Sequence, residues 1–241
     1  MTLQLNGRRL AILGFHKIGE PPPGGWASWF YISETVFACQ LGYLHENGWH
    51  VIDIEGFLKG LAAPESWPSR AALLTFDDGY RSTLDVALPC LHRFGYPSVI
   101  FVPTQFVGGH NAFDNGVEPK EAICDWDDLR ELERHGCSIQ SHGVSHSGFS
   151  QLSLAEQEVE LRQSKDALET KLGKPVDLFA YPYGDQGVDP ELTIGALKRA
   201  GYRAACLYGG GPNLAPLADP YRLTRMAMGP DTDLCSMLGQ E

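Results

Sequence analysis

Short apolar runs that stop at polar residues alternate along this chain with segments of helical period, and no other feature narrows its fold as much. Such alternation is the signature of a mainly parallel sheet flanked by helices. The predicted strands are Leu10–Phe15, Ala72–Phe76, Ser98–Val102, Ser138–Ser141, Leu178–Ala180, Ala204–Leu207 and Tyr221–Met228. The clearest helix starts at Ser153, where Ser153 and Glu156 have capping-box spacing. Leu154, Leu161, Leu168 and Leu172 form its apolar stripe, Gly173 supplies a left-handed cap and Pro175 prevents continuation. Further helices are expected to start near Ser33 and Asp125, at Asp189-Pro190, and at Pro89 before Gly95.

No repeat, low-complexity tract or long linker interrupts the pattern, so a single domain over residues 1–241 is expected. Two irregular insertions, Gly19–Trp29 and Gly108–Glu121, are candidate walls of a substrate groove. The chain carries 19 Lys+Arg against 30 Asp+Glu, a formal charge of −11, and no basic run longer than Arg8-Arg9. That balance argues against nucleic acid and anionic membranes as partners. No stretch approaches the roughly 18 apolar residues of a membrane span, and the opening MTLQLNGRRLAILGFHKIG lacks a secretory core. A cytoplasmic product is the simplest expectation, and a trimmed leader would make it extracytoplasmic. The six cysteines form no C-x-x-C pair and are expected to be reduced and mostly buried. Oligomeric state is not legible in these residues.

Three segments carry chemistry. Thr75-Phe76-Asp77-Asp78-Gly79 places adjacent carboxylates at a strand end, where they share a task only if the chain bends. Alone, Asp-Asp-Gly is a common turn. Ser141-His142-Gly143-Val144-Ser145-His146 sets two imidazoles four residues apart, a spacing that suits one metal ion but also a packed or solvated pair. An Asp from another strand end would complete two histidines and one carboxylate, the donor set of a catalytic metal site. Phe179-Ala180-Tyr181-Pro182-Tyr183-Gly184 is a strand running into a proline-shaped turn that can aim an N–H at an oxyanion. Trp26, Trp29 and Phe30 are candidate sugar-stacking aromatics, and Tyr181 is a further candidate substrate-binding residue.

In this order and spacing, T-F-D-D-G, S-H-x-x-S-H and F-A-Y-P-Y-G resemble the polysaccharide deacetylase family (the NodB homology domain, carbohydrate esterase family four). The last element is similar to the branch acting on poly-N-acetylglucosamine-type exopolysaccharides. The resemblance runs from about His16 to the C-terminus. It implies a distorted (β/α) barrel of about seven parallel strands, with a metal at the C-terminal strand ends. It implies Asp77 as general base, and Asp78, His142 and His146 as ligands of a divalent ion, Zn²⁺ first, with Co²⁺ or Ni²⁺ as substitutes. Tyr183 would lend its N–H to the oxyanion hole. The expected reaction is N-deacetylation of an N-acetylglucosamine-containing carbohydrate.

The sequence departs from the family pattern twice. No histidine follows His146 to serve as the family's C-terminal acid, and the arginine that orients the base would fall at Ala180. His16, at the end of the first strand, is the candidate replacement acid, and Arg225 the candidate partner of Asp77. Two alternatives stay open: a deformylase or other small-amide hydrolase acting on a sugar or ureide, and an inactive carbohydrate-binding relative.

Overall fold

A computed structural model describes residues 7–239. In chain order the strands are β1 (Arg9–Phe15), β2 (Lys17–Ile18), β3 (Tyr31–Ile32), β4 (His50–Val51), β5 (Arg70–Phe76) and β6 (Ser98–Val102). There follow β7 (Cys137–Ser141), β8 (Leu178–Ala180), β9 (Ala204–Cys206), β10 (Asn213–Leu214) and β11 (Met226–Ala227). The helices are α1 (Glu34–Glu46), α2 (Ile54–Ala62), α3 (Leu88–Phe94), α4 (Trp126–Arg134), α5 (Leu154–Leu172), α6 (Pro190–Ala200) and α7 (Leu234–Leu238). No described helix is long and apolar enough to cross a membrane.

The main sheet runs β10-β1-β5-β6-β7-β8-β9, parallel throughout except for β10, which pairs antiparallel to β1. The expected strand Tyr221–Met228 is mostly not a strand. Leu223 exchanges hydrogen bonds with Ala205 and Leu207 beside β9, and β11 then pairs with β1 at Leu13 and Gly14. A segment that crosses from one strand to another cannot follow either for its whole length. Its crossing curls the sheet into a distorted barrel.

Strand alternation sorts the core into two layers. Leu10 and Ile12, Ala71 and Leu73, Val99 and Phe101, Leu178 and Ala180, Ala204 and Cys206 form one cluster with Leu223. Their neighbours Leu13, Leu74, Ile100, Ile139 and Phe179 belong to the other, packed on Phe37, Leu91, Leu129, Leu161 and Leu197 of the flanking helices. Local signals set the helix ends: Ser153 and Glu156 form the capping box of α5, and Gly173 and Gly95 end α5 and α3 in left-handed caps. A π-helical turn, Thr83–Ala87, leads into α3 and accommodates Pro89. Four of the six free cysteines are buried, whereas Cys39 and Cys235 are exposed.

The inner layer is plugged from one end by Phe57 of α2 and by Trp67, whose ring packs against Gly60. A Cβ at Gly60 would lie 1.8 Å from Trp67 Nε1. A glycine-to-alanine change inside a helix usually stabilises. Here Gly60→Ala is expected to destabilise by about 1–3 kcal/mol, because Trp67 must leave its place. Urea unfolding checks the sign, and a gain in stability would refute the packing described.

Candidate active site

The same alternation, carried past the strand ends, builds a cavity of about 250 Å³. His16 stands two residues beyond Gly14, Asp77 beyond Thr75, His142 beyond Gln140 and Tyr208 beyond Cys206, so four inward positions meet above the inner core. Asp78 has the opposite parity and reaches the cavity because its backbone turns left-handed, with φ 70°. Among the described residues the only other non-glycines with positive φ are His146 and Tyr183, both at 58° and both lining the same cavity. Each such conformation costs about 1–3 kcal/mol, and strain of this kind gathers at functional sites.

Asp77 is buried against Arg225. The guanidinium donates from Nη1 to Oδ1 at 2.5 Å and from Nη2 to Oδ2 at 2.8 Å, and its Nε donates to the Leu207 carbonyl at 2.7 Å. Its carbon lies 5.2 Å from the Phe101 ring centre, at the top of the inner core. Burial alone would raise the Asp77 pKa, but Arg225 first, then His142 and His16, outweigh it and hold the carboxyl below its ordinary range. His16 Nε2 is 3.8 Å from Asp77 Oδ2, and burial lowers the imidazole's pKa despite both aspartates.

Asp78 faces the two other imidazoles. Its Oδ1 is 3.1 Å from His146 Nε2 and 3.5 Å from His142 Nε2, and one donor atom from each of the three side chains lies within 4.8 Å of the others. His142 Nδ1 donates to the Ala180 carbonyl at 2.8 Å, so its Nε2 presents a lone pair. A buried carboxylate oxygen with no hydrogen-bond partner beside an imidazole lone pair is a donor set that calls for a cation. Burial pushes His142 down to about 4, whereas the Asp78 charge, working against burial, raises His146. These three residues could hold a metal ion.

Glu160 of α5 holds the turn that carries the histidines. Its Oε2 accepts from the N–H groups of Val144 at 2.6 Å and Ser145 at 2.9 Å, and its Oε1 from the Ser145 hydroxyl at 2.7 Å. A glutamate on an amphipathic helix reads as solvated surface, and sequence reasoning passes over it. Tyr208 also goes unnamed in that reasoning, although parity beyond Cys206 could have found it.

Tyr183 borders the cavity, its ring edge-on to His146 at 4.7 Å. Tyr181 is buried, lines the cavity and donates from its hydroxyl to the Tyr221 carbonyl. Trp26 and Trp29 stand outside the cavity lining. Trp29 covers Gly229 and donates to Asp231 at 2.8 Å, and its neighbour Phe30 lines the cavity instead. Of the two insertions, residues 108–121 supply Asp114, Val117 and Glu118 to the wall. Residues 19–29 brace that wall, Ser28 donating to Glu118, which also accepts from buried Lys17 at 2.6 Å.

A family model described as polysaccharide deacetylase matches residues 65–205. Among curated proteins the chain is similar to YxkH of Bacillus subtilis, named for the same family, at 24% identity over 81% of this chain and 63% of that protein. It is also similar to the poly-beta-1,6-N-acetyl-D-glucosamine N-deacetylase of Escherichia coli K12, at 24% identity over 68% of this chain and 29% of that protein. The chain thus spans less than two thirds of either relative. Among solved structures, the Streptococcus pyogenes deacetylase PplD, in complex with acetate, shares the fold. Its TM-score is 0.80 and its identity 23%, over 94% of this chain and 95% of that one.

Arg225→Met leaves the Asp77 charge buried and alone, and is expected to destabilise by about 3–5 kcal/mol near pH 7. The loss should shrink as pH falls. In the wild type the depressed Asp77 pKa adds stability above the unfolded value that is lost on acidification. In the variant burial raises the pKa, so protonation stabilises it. Urea titrations at neutral pH and near the free carboxyl value of about 3.9 check both parts. Glu160→Ala is expected to weaken binding of a divalent ion at the three-residue site by about 10–100-fold. Competition with a chromogenic chelator measures this, and unchanged affinity would refute the role of the clamp.

Proposed function

This chain belongs to the polysaccharide deacetylase family, and we propose on that premise that it is a hydrolase removing N-acetyl groups from an N-acetylglucosamine-containing glycan. One divalent ion assists, Zn²⁺ in first place and Co²⁺ or Ni²⁺ as substitutes. The reading is carried by the division of one dipeptide: Asp77 is paired with Arg225, while Asp78 faces two imidazoles. A core drawing on residues from Leu10 to Leu238 supports a single catalytic domain. The name of the Escherichia coli relative supports the glycan class.

Asp78, His142 and His146 would hold the ion, which when bound would supply Lewis acidity toward an amide carbonyl and a lowered pKa for water. Asp77, kept ionised by Arg225, accepts the proton of the attacking water. The Tyr183 N–H donates to the oxyanion that forms. The proton that Asp77 takes up passes by way of His16, whose Nε2 lies 3.8 Å from Oδ2, to the departing nitrogen as the C–N bond breaks, giving acetate and a free amine.

Acetate release from N-acetylglucosamine oligomers tests this reading. Stripping the metal should abolish release and reloading should restore it, and Asp77→Asn should lower turnover by about 10²–10⁴-fold. Release that survives stripping, or Asp77→Asn turnover equal to wild type, would overturn it.

A further inference from the structure

Four polar atoms in the cavity wall are buried without a hydrogen-bond partner among the described residues: Asp78 Oδ1 and His146 Nδ1 in the Asp-His-His group, and His16 Nδ1 and Tyr208 Oη beside it. The Tyr208 ring is held on three sides. It meets His16 edge-on at 5.2 Å, lies 5.4 Å from the Arg225 guanidinium carbon, and covers Gly14, where a Cβ would come within 3.1 Å of its Cε2. Burial first, then the Asp77 charge, keep the phenol protonated, so its hydroxyl has a hydrogen to give. A buried hydroxyl left unpaired opposes folding. Phenylalanine would fill the same space without that cost.

The cavity also states what the hydroxyl can meet. Asp77, Asp78, Asp114 and Glu118 line it against one lysine, Lys17, which is already paired with Glu118, and this acidic excess disfavours an anionic acceptor close by. We propose that Tyr208 is a substrate contact whose hydroxyl donates a hydrogen bond to an uncharged oxygen of the N-acetylated sugar, either a ring hydroxyl or the acetamido oxygen. The proposal rests on the deacetylase reading above.

Tyr208→Phe, compared with wild type in metal-reloaded protein on N-acetylglucosamine oligomers, tests it. The expected result is a fall in kcat/KM of about tenfold or more. A rise in KM at constant kcat assigns the contact to a ring hydroxyl, and a fall in kcat assigns it to the acetamido oxygen, where charge develops. Unfolding of the metal-free proteins supplies a second readout. Tyr208→Phe should melt at the wild-type temperature or above it, because no protein hydrogen bond is lost. A kcat/KM within about threefold of an active wild type would overturn the inference alone, as would a lowered melting temperature, which marks a structural partner. No acetate release by the wild type would instead fail the deacetylase reading, and this inference with it.

Discussion

The charge pair between Arg225 and Asp77 is the constraint around which the rest is arranged. Neither group can be buried alone without a cost of several kcal/mol, so the guanidinium is met on every side that the structure describes. Asp77 takes two of its N–H groups, the Leu207 carbonyl takes Nε, and the rings of Phe101 and Tyr208 lie near its carbon. The pair caps the inner core and supplies the cavity with a carboxylate that stays ionised. One residue further along, the left-handed turn at Asp78 sends the second carboxylate to the imidazoles. Two adjacent side chains of one chemistry thereby acquire different electrostatic surroundings.

Precision in such a site comes from rigid supports. Strand ends fix His16, Asp77 and His142, and the loops that add Asp78, His146 and Tyr183 are strained. The turn that carries the histidines has an anchor nearby. Glu160 binds the histidine turn through two N–H groups and a hydroxyl, and the Ala180 carbonyl orients His142. The family arginine would stand at position 180. There the backbone carbonyl orients a candidate metal ligand, while a distant residue supplies the guanidinium.

The parallel strands, the capped helices and the Asp-Asp and His-x-x-x-His pairs were legible because each is written in a few consecutive residues. Period-two alternation and capping chemistry are local, and the structure repeats them. Legibility failed where placement depends on contacts far apart in the chain. Trp26, Trp29 and Phe30 read alike as sugar platforms, yet of the three Phe30 alone lines the cavity, and Trp29 packs over Gly229. The Lys17–Glu118 pair joins residues 101 apart, and nothing near Lys17 announces it. The segment Tyr221–Met228 has a strand's composition, but its task of joining β9 to β1 divides it.

That crossing segment has a consequence for the order in which the site comes into being. Arg225 meets Asp77 across 148 positions of sequence, and it arrives on the stretch that links the ninth strand back to the first. A nascent chain leaving the ribosome presents Asp77 long before it presents its counter-charge. Until that stretch docks, the barrel is unlinked there, and Asp77 has every reason to remain in water. Closure of the barrel and completion of this buried charge pair are one event.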